Sequence, residues 1–224
     1  MTTHTVETSP QIYARIGGIL YLIIIVAGAL GEIFIRGKLI VSGDAISTAN
    51  NIMASQLLWR TGIAGDLLMH VCDVPLMLIF YLLLRPVNKN LALLAVLFNL
   101  IQTAVLVVNK LTLLMPLFLL GNAEYLKAFE PKQLEALAYL FVRAHDYGFG
   151  IGLIFFSFTC LVLGYLIFRS GYFPKILGVL MAIAGLSYLT NSFTLILPPP
   201  TQAGSFRFWC SPSSGNCHFA FGSW

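Results

Sequence analysis

The chain has 224 residues, of which 58% are hydrophobic and only 10% are charged. A soluble domain usually carries about 25% charged residues, so this composition excludes a mainly water-exposed chain and predicts an all-α, polytopic bundle of transmembrane helices. The formal net charge of +4 comes from scattered basic residues, without the dense basic run that is typical of nucleic-acid binding. The expected partner is therefore the lipid bilayer, with no nucleic acid.

Five segments are long and apolar enough to cross a bilayer, because a transmembrane helix needs about 20 apolar residues. They cover approximately residues 16–35, 63–84, 91–114, 147–168 and 176–197, within one bundle over residues 1–199. The polar N-terminus lacks the basic region of a signal peptide, so the first segment is predicted to be an uncleaved span. Arg36 directly follows that span and is expected to anchor it at the membrane interface.

The connections between these spans differ in length and charge. RPVNKN (85–90) and RSGYFPK (169–175) are short and basic, whereas residues 37–56 and 121–146 are longer and mix basic with acidic side chains. In the latter stretch, a proline near a helix start and leucines on one face predict an amphipathic interfacial helix that leads into the fourth span. Basic residues in short loops mark the cytoplasmic side, so the N-terminus is predicted to be cytoplasmic.

Four runs of sequence are recognisable. They are YARIGGILYLIIIVAGALGEIFIRGKLIVSGDAISTANNIMAS, LLWRTGIAGDLL, YLLLRPVNKNLALLAVLFNLIQ and GLIFFSFTCLVLGYLIFRSGYFPKILGVLMAIAGLSYL, with GDAISTANNI and RSGYFPKILG the most distinctive motifs. Over about Tyr13 to Pro199 the chain resembles the bacterial DUF4386 family of integral membrane proteins of unknown function. The resemblance implies a multi-pass bacterial inner-membrane protein with six spans, and it supplies no activity.

The segment of residues 200–224 differs abruptly from the rest, being rich in Ser, Gly, Trp and Cys without periodicity. In the family that it resembles, a sixth span follows here, with a pattern close to GELSLALWLL. Permitted codons for Phe206–Trp224, read from the third nucleotide, give PVLVLPIIGELSFCLWLL. The hypothesis is that a frameshift near Pro200 replaces the sixth span; the alternative is a genuine exported tail with a Cys210–Cys217 disulfide.

Ionisable residues inside the spans are the main functional candidates. Asp66, His70 and Asp73 are spaced i, i+4 and i+7 in the second span, so they share one helical face and Asp66 is close enough to hydrogen-bond His70. A charged Asp at mid-span costs at least ~2.5–3.5 kcal/mol on insertion scales, so such groups usually face a partner or serve a function. His145 and Asp146, which open the fourth span, complete the candidate polar core.

Three hypotheses stay open for this polar core. In the first it is structural, and its acids pair with Arg60, Lys110 or Arg143. In the second, the three second-span residues line a path for a proton, an ion or a small solute, because a histidine beside a carboxylate titrates near neutral pH. In the third, the histidines and carboxylates hold a metal in an intramembrane enzyme, although no HExxH motif is present. No motif identifies a cofactor, a substrate or an oligomeric state.

The loop motif GDAISTANNI allows two interpretations. In the first, a turn precedes a helix that begins at Ala49 and is capped by Ser47 or Thr48. In the second, the motif forms a re-entrant or outer-surface ligand loop that uses three polar residues: Asp44, Asn50 and Asn51.

Overall fold

The structure consists of long helices laid side by side. The computed structural model describes residues 10–197, so the predicted frameshift tail lies outside the described residues. Within this range every element is helical: α1 (Pro10–Ala29), a π-helical segment (Leu30–Arg36), α2 (Gly37–Leu39), α3 (Ala45–Ala54), α4 (Gln56–Leu84), α5 (Lys89–Leu119), a 3-10 turn (Glu124–Ala128), α6 (Pro131–Ser170) and α7 (Lys175–Ile196). The predicted all-α fold class is confirmed.

Five helical stretches in the described part are long and apolar enough to cross a membrane. They are Gln11–Leu39, Gln56–Leu84, Lys89–Leu119, Pro131–Ser170 and Lys175–Ile196, and we number them spans 1 to 5. Each overlaps one predicted segment, and span 5 ends one residue earlier than predicted. Most helices start earlier or end later than the predicted segments; span 2 begins at Gln56 and span 3 continues through Pro116.

The spans pack mainly on their neighbours in the chain. Span 1 packs on α4, α4 on α5, α5 on α6, and α6 on α7, with α5–α6 and α6–α7 the most extensive interfaces. Short connections force consecutive helices to run antiparallel, so the connections alternate between two ends. We call the end with residues 85–88 and 171–174 the link end, and the end with residues 40–55 and 120–130 the cap end.

Helix α6 is a single 40-residue helix, about 60 Å long at 1.5 Å per residue, or twice the ~30 Å hydrocarbon core of a bilayer. The predicted amphipathic helix is therefore present as the first turns of α6, which lead into span 4. A capping box between Glu130 and Gln133 starts the helix, and no break follows. Its first turns pack on α3, and the Gly43 N–H donates to the Tyr139 hydroxyl at 2.8 Å, while Leu140 on the apolar face stays 60% exposed.

Two apolar clusters close the bundle at its ends. The cap-end cluster lies on the cap side of the polar residues described below and comprises Leu39, Ile52, Trp59, Ile63, Leu113, Leu117 and Val142. The link-end cluster comprises Met77, Leu84, Ala92, Ala95, Leu163, Leu166 and Ile167. The Trp59 indole N–H donates to the Leu113 carbonyl at 2.7 Å, which ties α4 to α5 at the cap end. The polar residues of spans 2 and 3 lie between these clusters.

Candidate functional site

A group of four charged side chains, three of them buried and the fourth, Glu32, half exposed, joins spans 1, 2 and 3 near the cap end. Asp66, which is 0% exposed, accepts hydrogen bonds at Oδ2 from Arg36 Nη1 at 2.7 Å and Lys110 Nζ at 2.8 Å. Its Oδ1 accepts from Arg36 Nη2 at 3.2 Å, and Arg36 Nε donates to Glu32 at 2.7 Å. We call these four residues the Asp66 cluster. Its two acids and two bases balance, so it carries no formal net charge.

The π-helical segment positions Arg36 for this contact. Arg36 was expected at the membrane interface, but it is buried and points into the bundle, so that expectation is wrong. Gly31 opens the necessary space, because a Cβ there would lie 2.9 Å from Asp66 Oδ1 and 3.1 Å from Arg36 Nη2. π-Helical turns within α-helices are frequent at functional sites; this one sets the direction of an arginine.

Asp73 has a different environment about two turns further along α4. Its Oδ2 accepts hydrogen bonds from Asn99 Nδ2 and from the Thr103 hydroxyl, both at 2.7 Å. Asn99 and Thr103 stand one turn apart on α5, and both are buried. Among the residues that the structure describes, no basic side chain forms an ion pair with Asp73. The Oδ1 atom of Asn99 is also buried and has no hydrogen-bond partner there.

His70 lies between the two carboxylates on the same face of α4. It is 3% exposed, and its Nε2 atom has no hydrogen-bond partner in the described part of the chain. The possible Asp66–His70 hydrogen bond is not formed, because both oxygens of Asp66 bind Arg36 or Lys110. The structure thus places all three second-span candidates along the interface of α4 with its neighbours and leaves the central imidazole unsatisfied.

The two candidates of span 4 lie on the other side of α5. Asn109 Nδ2 is 3.0 Å from Nδ1 of the buried His145 and also donates to its carbonyl at 2.9 Å. Gly148 admits this contact, since a Cβ there would lie 2.1 Å from Asn109 Oδ1. Asp146 accepts from Arg143 at 3.2 Å, near the surface. His145 and Asp146 therefore lie on one helix, and the hydrogen bonds that they form in the described part of the chain do not connect them to Asp73.

A metal site within the membrane was one of the three hypotheses drawn from the sequence. Within residues 10–197, no group of three or more His, Cys, Asp or Glu side chains is close enough to hold a metal ion. His70 and His145 are on α4 and α6, which touch only slightly because α5 packs between them.

The loop motif forms the start of a helix at the cap end. Helix α3 begins at Ala45, and Asp44 caps it by accepting from Ser47 N at 2.9 Å and from the Ser47 hydroxyl at 2.6 Å. The prediction of a cap at Ser47 or Thr48 is wrong, because the turn is shorter than expected. These hydrogen bonds lower the pKa of Asp44.

The other two loop candidates differ in their contacts. Asn51 donates to the Leu39 carbonyl at 3.2 Å, so its side chain fastens α3 to α2. Asn50 is exposed.

Sequence reasoning did not predict the contacts that three residues make in this site: Arg36, Asn99 and Thr103. For the two α5 residues a signal exists, since polar side chains four positions apart on an apolar helix form one polar patch. For Arg36 the useful signal is Glu32, because side chains four residues apart on a helix can form an ion pair.

Comparisons with known proteins identify a family. Residues 16–214 match the model of the "Domain of unknown function (DUF4386)". The chain is also 29% identical over 159 residues to an uncharacterized protein of Archaeoglobus fulgidus, a match that covers 71% of this chain and 79% of the relative. No solved structure matches.

Proposed function

The chain belongs to the DUF4386 family, whose function is unknown, and we propose that it handles a proton or a monovalent cation within the membrane, with Asp73 as the residue that binds it. His70 assists by exchanging the proton or hydrogen-bonding the passing ion. Asp66 holds spans 1, 2 and 3 together and does not exchange.

The observation that carries this proposal is the different charge balance around the two second-span carboxylates. Asp66 contacts two cations, and its cluster is neutral. Within residues 10–197, the side chains that donate hydrogen bonds to Asp73 are the neutral Asn99 and Thr103. An unpaired charged Asp in mid-membrane costs about 2.5–3.5 kcal/mol or more, and binding a proton or a monovalent cation removes that charge.

The surroundings of Asp73 support exchange in two ways. The unpartnered Asn99 Oδ1 belongs to the same amide that donates to Asp73, so a second buried oxygen lies on the side chain next to the carboxylate. His70 lies three residues from Asp73 and four from Asp66, or about 4.5 and 6 Å along the helix axis, with Nε2 unpartnered. An imidazole between carboxylates suits a proton relay.

We call the line of Asp66, His70 and Asp73 along α4 the polar track. In the proposed function, the apolar clusters at its two ends act as gates. The described conformation is closed at the cap end and at the link end. Exchange therefore requires one cluster to loosen at a time, as in alternating access.

For orientation, we propose that the link end, and with it the N-terminus, faces the cytoplasm of a bacterial inner membrane. Four basic residues crowd its two short connections (Arg85, Lys89, Arg169 and Lys175), and such loops stay cytoplasmic. A cysteine from Asn122→Cys should then react with an impermeant maleimide on intact cells, and one from Asn88→Cys should not. The reverse pattern would invert the assignment.

The proposal is tested by ion flux in proteoliposomes. Purified protein is reconstituted with a pH-sensitive dye or a sodium-sensitive dye inside, and a potassium-diffusion potential drives uptake with and without external sodium. We expect wild type to move protons or sodium and Asp73→Asn to abolish that flux, because the amide cannot take up a proton or neutralise a cation.

The matched control is Glu124→Gln, which removes one negative charge from an exposed cap-end residue and should leave flux unchanged. Equal flux in wild type and Asp73→Asn, or no flux from either with both proteins folded, would overturn the proposal.

A further inference from the structure

The link end contains a notch between the two short connections. It has a volume of about 460 Å³ and is lined by Pro86, Val87, Asn88, Tyr165, Arg169, Ser170 and Tyr172. The turn that holds it is fixed, since the Tyr172 hydroxyl donates to the Leu83 carbonyl and the Phe173 N–H donates to the Ser170 hydroxyl at 3.3 Å. The notch is thus a defined shape between the hairpins α4–α5 and α6–α7.

Among the residues that the structure describes, charge at this end is of one sign. The structure describes eight acidic residues, and all of them lie at the cap end or within the cap-side and central parts of the spans: Glu32, Asp44, Asp66, Asp73, Glu124, Glu130, Glu135 and Asp146. Arg85, Lys89, Arg169 and Lys175 are exposed and form no ion pair within residues 10–197. Arg169 lines the notch and the other three cations belong to the same two connections, so an anion bound there is attracted by a locally positive surface.

The donors in the notch suit a phosphate group. Arg169 is long and exposed, and its planar guanidinium forms paired hydrogen bonds with phosphate oxygens. Asn88 uses its side-chain oxygen to accept from Leu91 N at 3.0 Å, which leaves its amide N–H₂ available as a donor. The adjacent start of α5 contributes the positive end of a 31-residue helix dipole.

We infer that this notch binds a phosphate monoester or diester, with the headgroup of an anionic phospholipid as its source. The notch opens where two pairs of spans turn, at the depth of the headgroups, and exposed Tyr165 and Tyr172 flank it as interfacial aromatics. Basic pockets between transmembrane helices bind anionic headgroups. This site is independent of the ion-handling proposal, since it lies beyond the link-end apolar cluster from Asp73.

Native mass spectrometry of the purified full chain tests the inference. The protein in detergent is titrated with phosphatidylglycerol or with phosphatidylcholine. We expect retained phosphatidylglycerol adducts and few phosphatidylcholine adducts. Arg169→Gln should weaken phosphatidylglycerol binding about tenfold, the loss of a charge-assisted hydrogen-bond pair, and Arg169→Lys should give an intermediate value.

Arg60→Gln is the matched control, since Arg60 is an exposed cation at the cap end and its loss changes net charge equally. Competition by inorganic phosphate identifies free phosphate as a second source of the same chemistry, and its failure to compete leaves the lipid alone. Equal phosphatidylglycerol retention by wild type, Arg169→Gln and Arg60→Gln, with all three folded, would overturn the inference.

Discussion

Asp66 and Asp73 are the same residue type on one face of one helix, seven positions apart. Their hydrogen-bonding partners give the two carboxyl groups different electrostatic environments. Asp66 is enclosed by Arg36 and Lys110 at ion-pair distance, so its ionised form is held in place. Asp73 receives two neutral hydrogen bonds, which an amide or a protonated carboxyl also accepts.

This difference predicts opposite responses to the same substitution. Asp66→Asn leaves two buried cations with one acid, and breaking a buried ion pair costs about 3–5 kcal/mol. Asp73→Asn keeps an oxygen for Asn99 and Thr103, so its free energy of unfolding should change by less than about 1 kcal/mol. Denaturation in detergent micelles, followed by helix loss, measures both.

The control for Asp66 is a second substitution that restores charge balance. Asp66→Asn combined with Lys110→Met leaves Glu32 and Arg36 as a neutral pair, so the double variant should be more stable than Asp66→Asn alone. If the effects of the two substitutions on the free energy of unfolding simply add, Lys110 and Asp66 do not interact, and the description of the cluster is wrong.

At the scale of elements, the π-helical segment of span 1 and the regular helix α4 meet at Gly31. A Cβ there would press on Asp66 and Arg36 at 2.9 and 3.1 Å. Since both atoms belong to a buried salt bridge, neither can move without weakening it. The π-helical geometry and the absence of a side chain at Gly31 therefore both make room for the salt bridge between Arg36 and Asp66.

Gly31→Ala should consequently lower the free energy of unfolding by about 1–3 kcal/mol, the usual range for overpacking. Gly18→Ala in the same span is the matched control, because nothing lies within 4 Å of a Cβ at that position. There the better helix propensity of alanine should be neutral or stabilising. Equal thermal stability of the two variants would contradict the role given to Gly31.

Sequence patterns locate the helices, but they do not give the direction of every side chain or every contact between helices. Hydropathy locates the spans, because backbone groups in lipid must be satisfied within helices. The 3.6-residue period places Asp66, His70 and Asp73 on one face, and Lys110 was among the expected partners of the acids. The direction of Arg36 could not be predicted, since a π-helical segment departs from that period. The packing of the first turns of α6 on α3 could not be predicted either, because an amphipathic stretch fits both a helix at the membrane interface and one that packs on another helix.

For the whole molecule, the order of packing explains how one polar track is isolated. Helix α5 is central, facing Asp66 and Asp73 on one side through Lys110 and Asn99 and facing His145 on the other through Asn109. Apolar clusters close both ends. In the described conformation Asp66, Lys110 and His145 are buried, so a change of helix packing would be needed to expose them.

The proposed role of Asp73 as the carboxyl that binds an ion can be measured by infrared difference spectroscopy of the protein in lipid nanodiscs. We expect a protonated-carboxyl C=O band in wild type that responds to pH or to added sodium, is absent from Asp73→Asn and persists in Glu124→Gln. A responsive band that survives Asp73→Asn unchanged, or the absence of such a band from wild type, would show that Asp73 does not have this role.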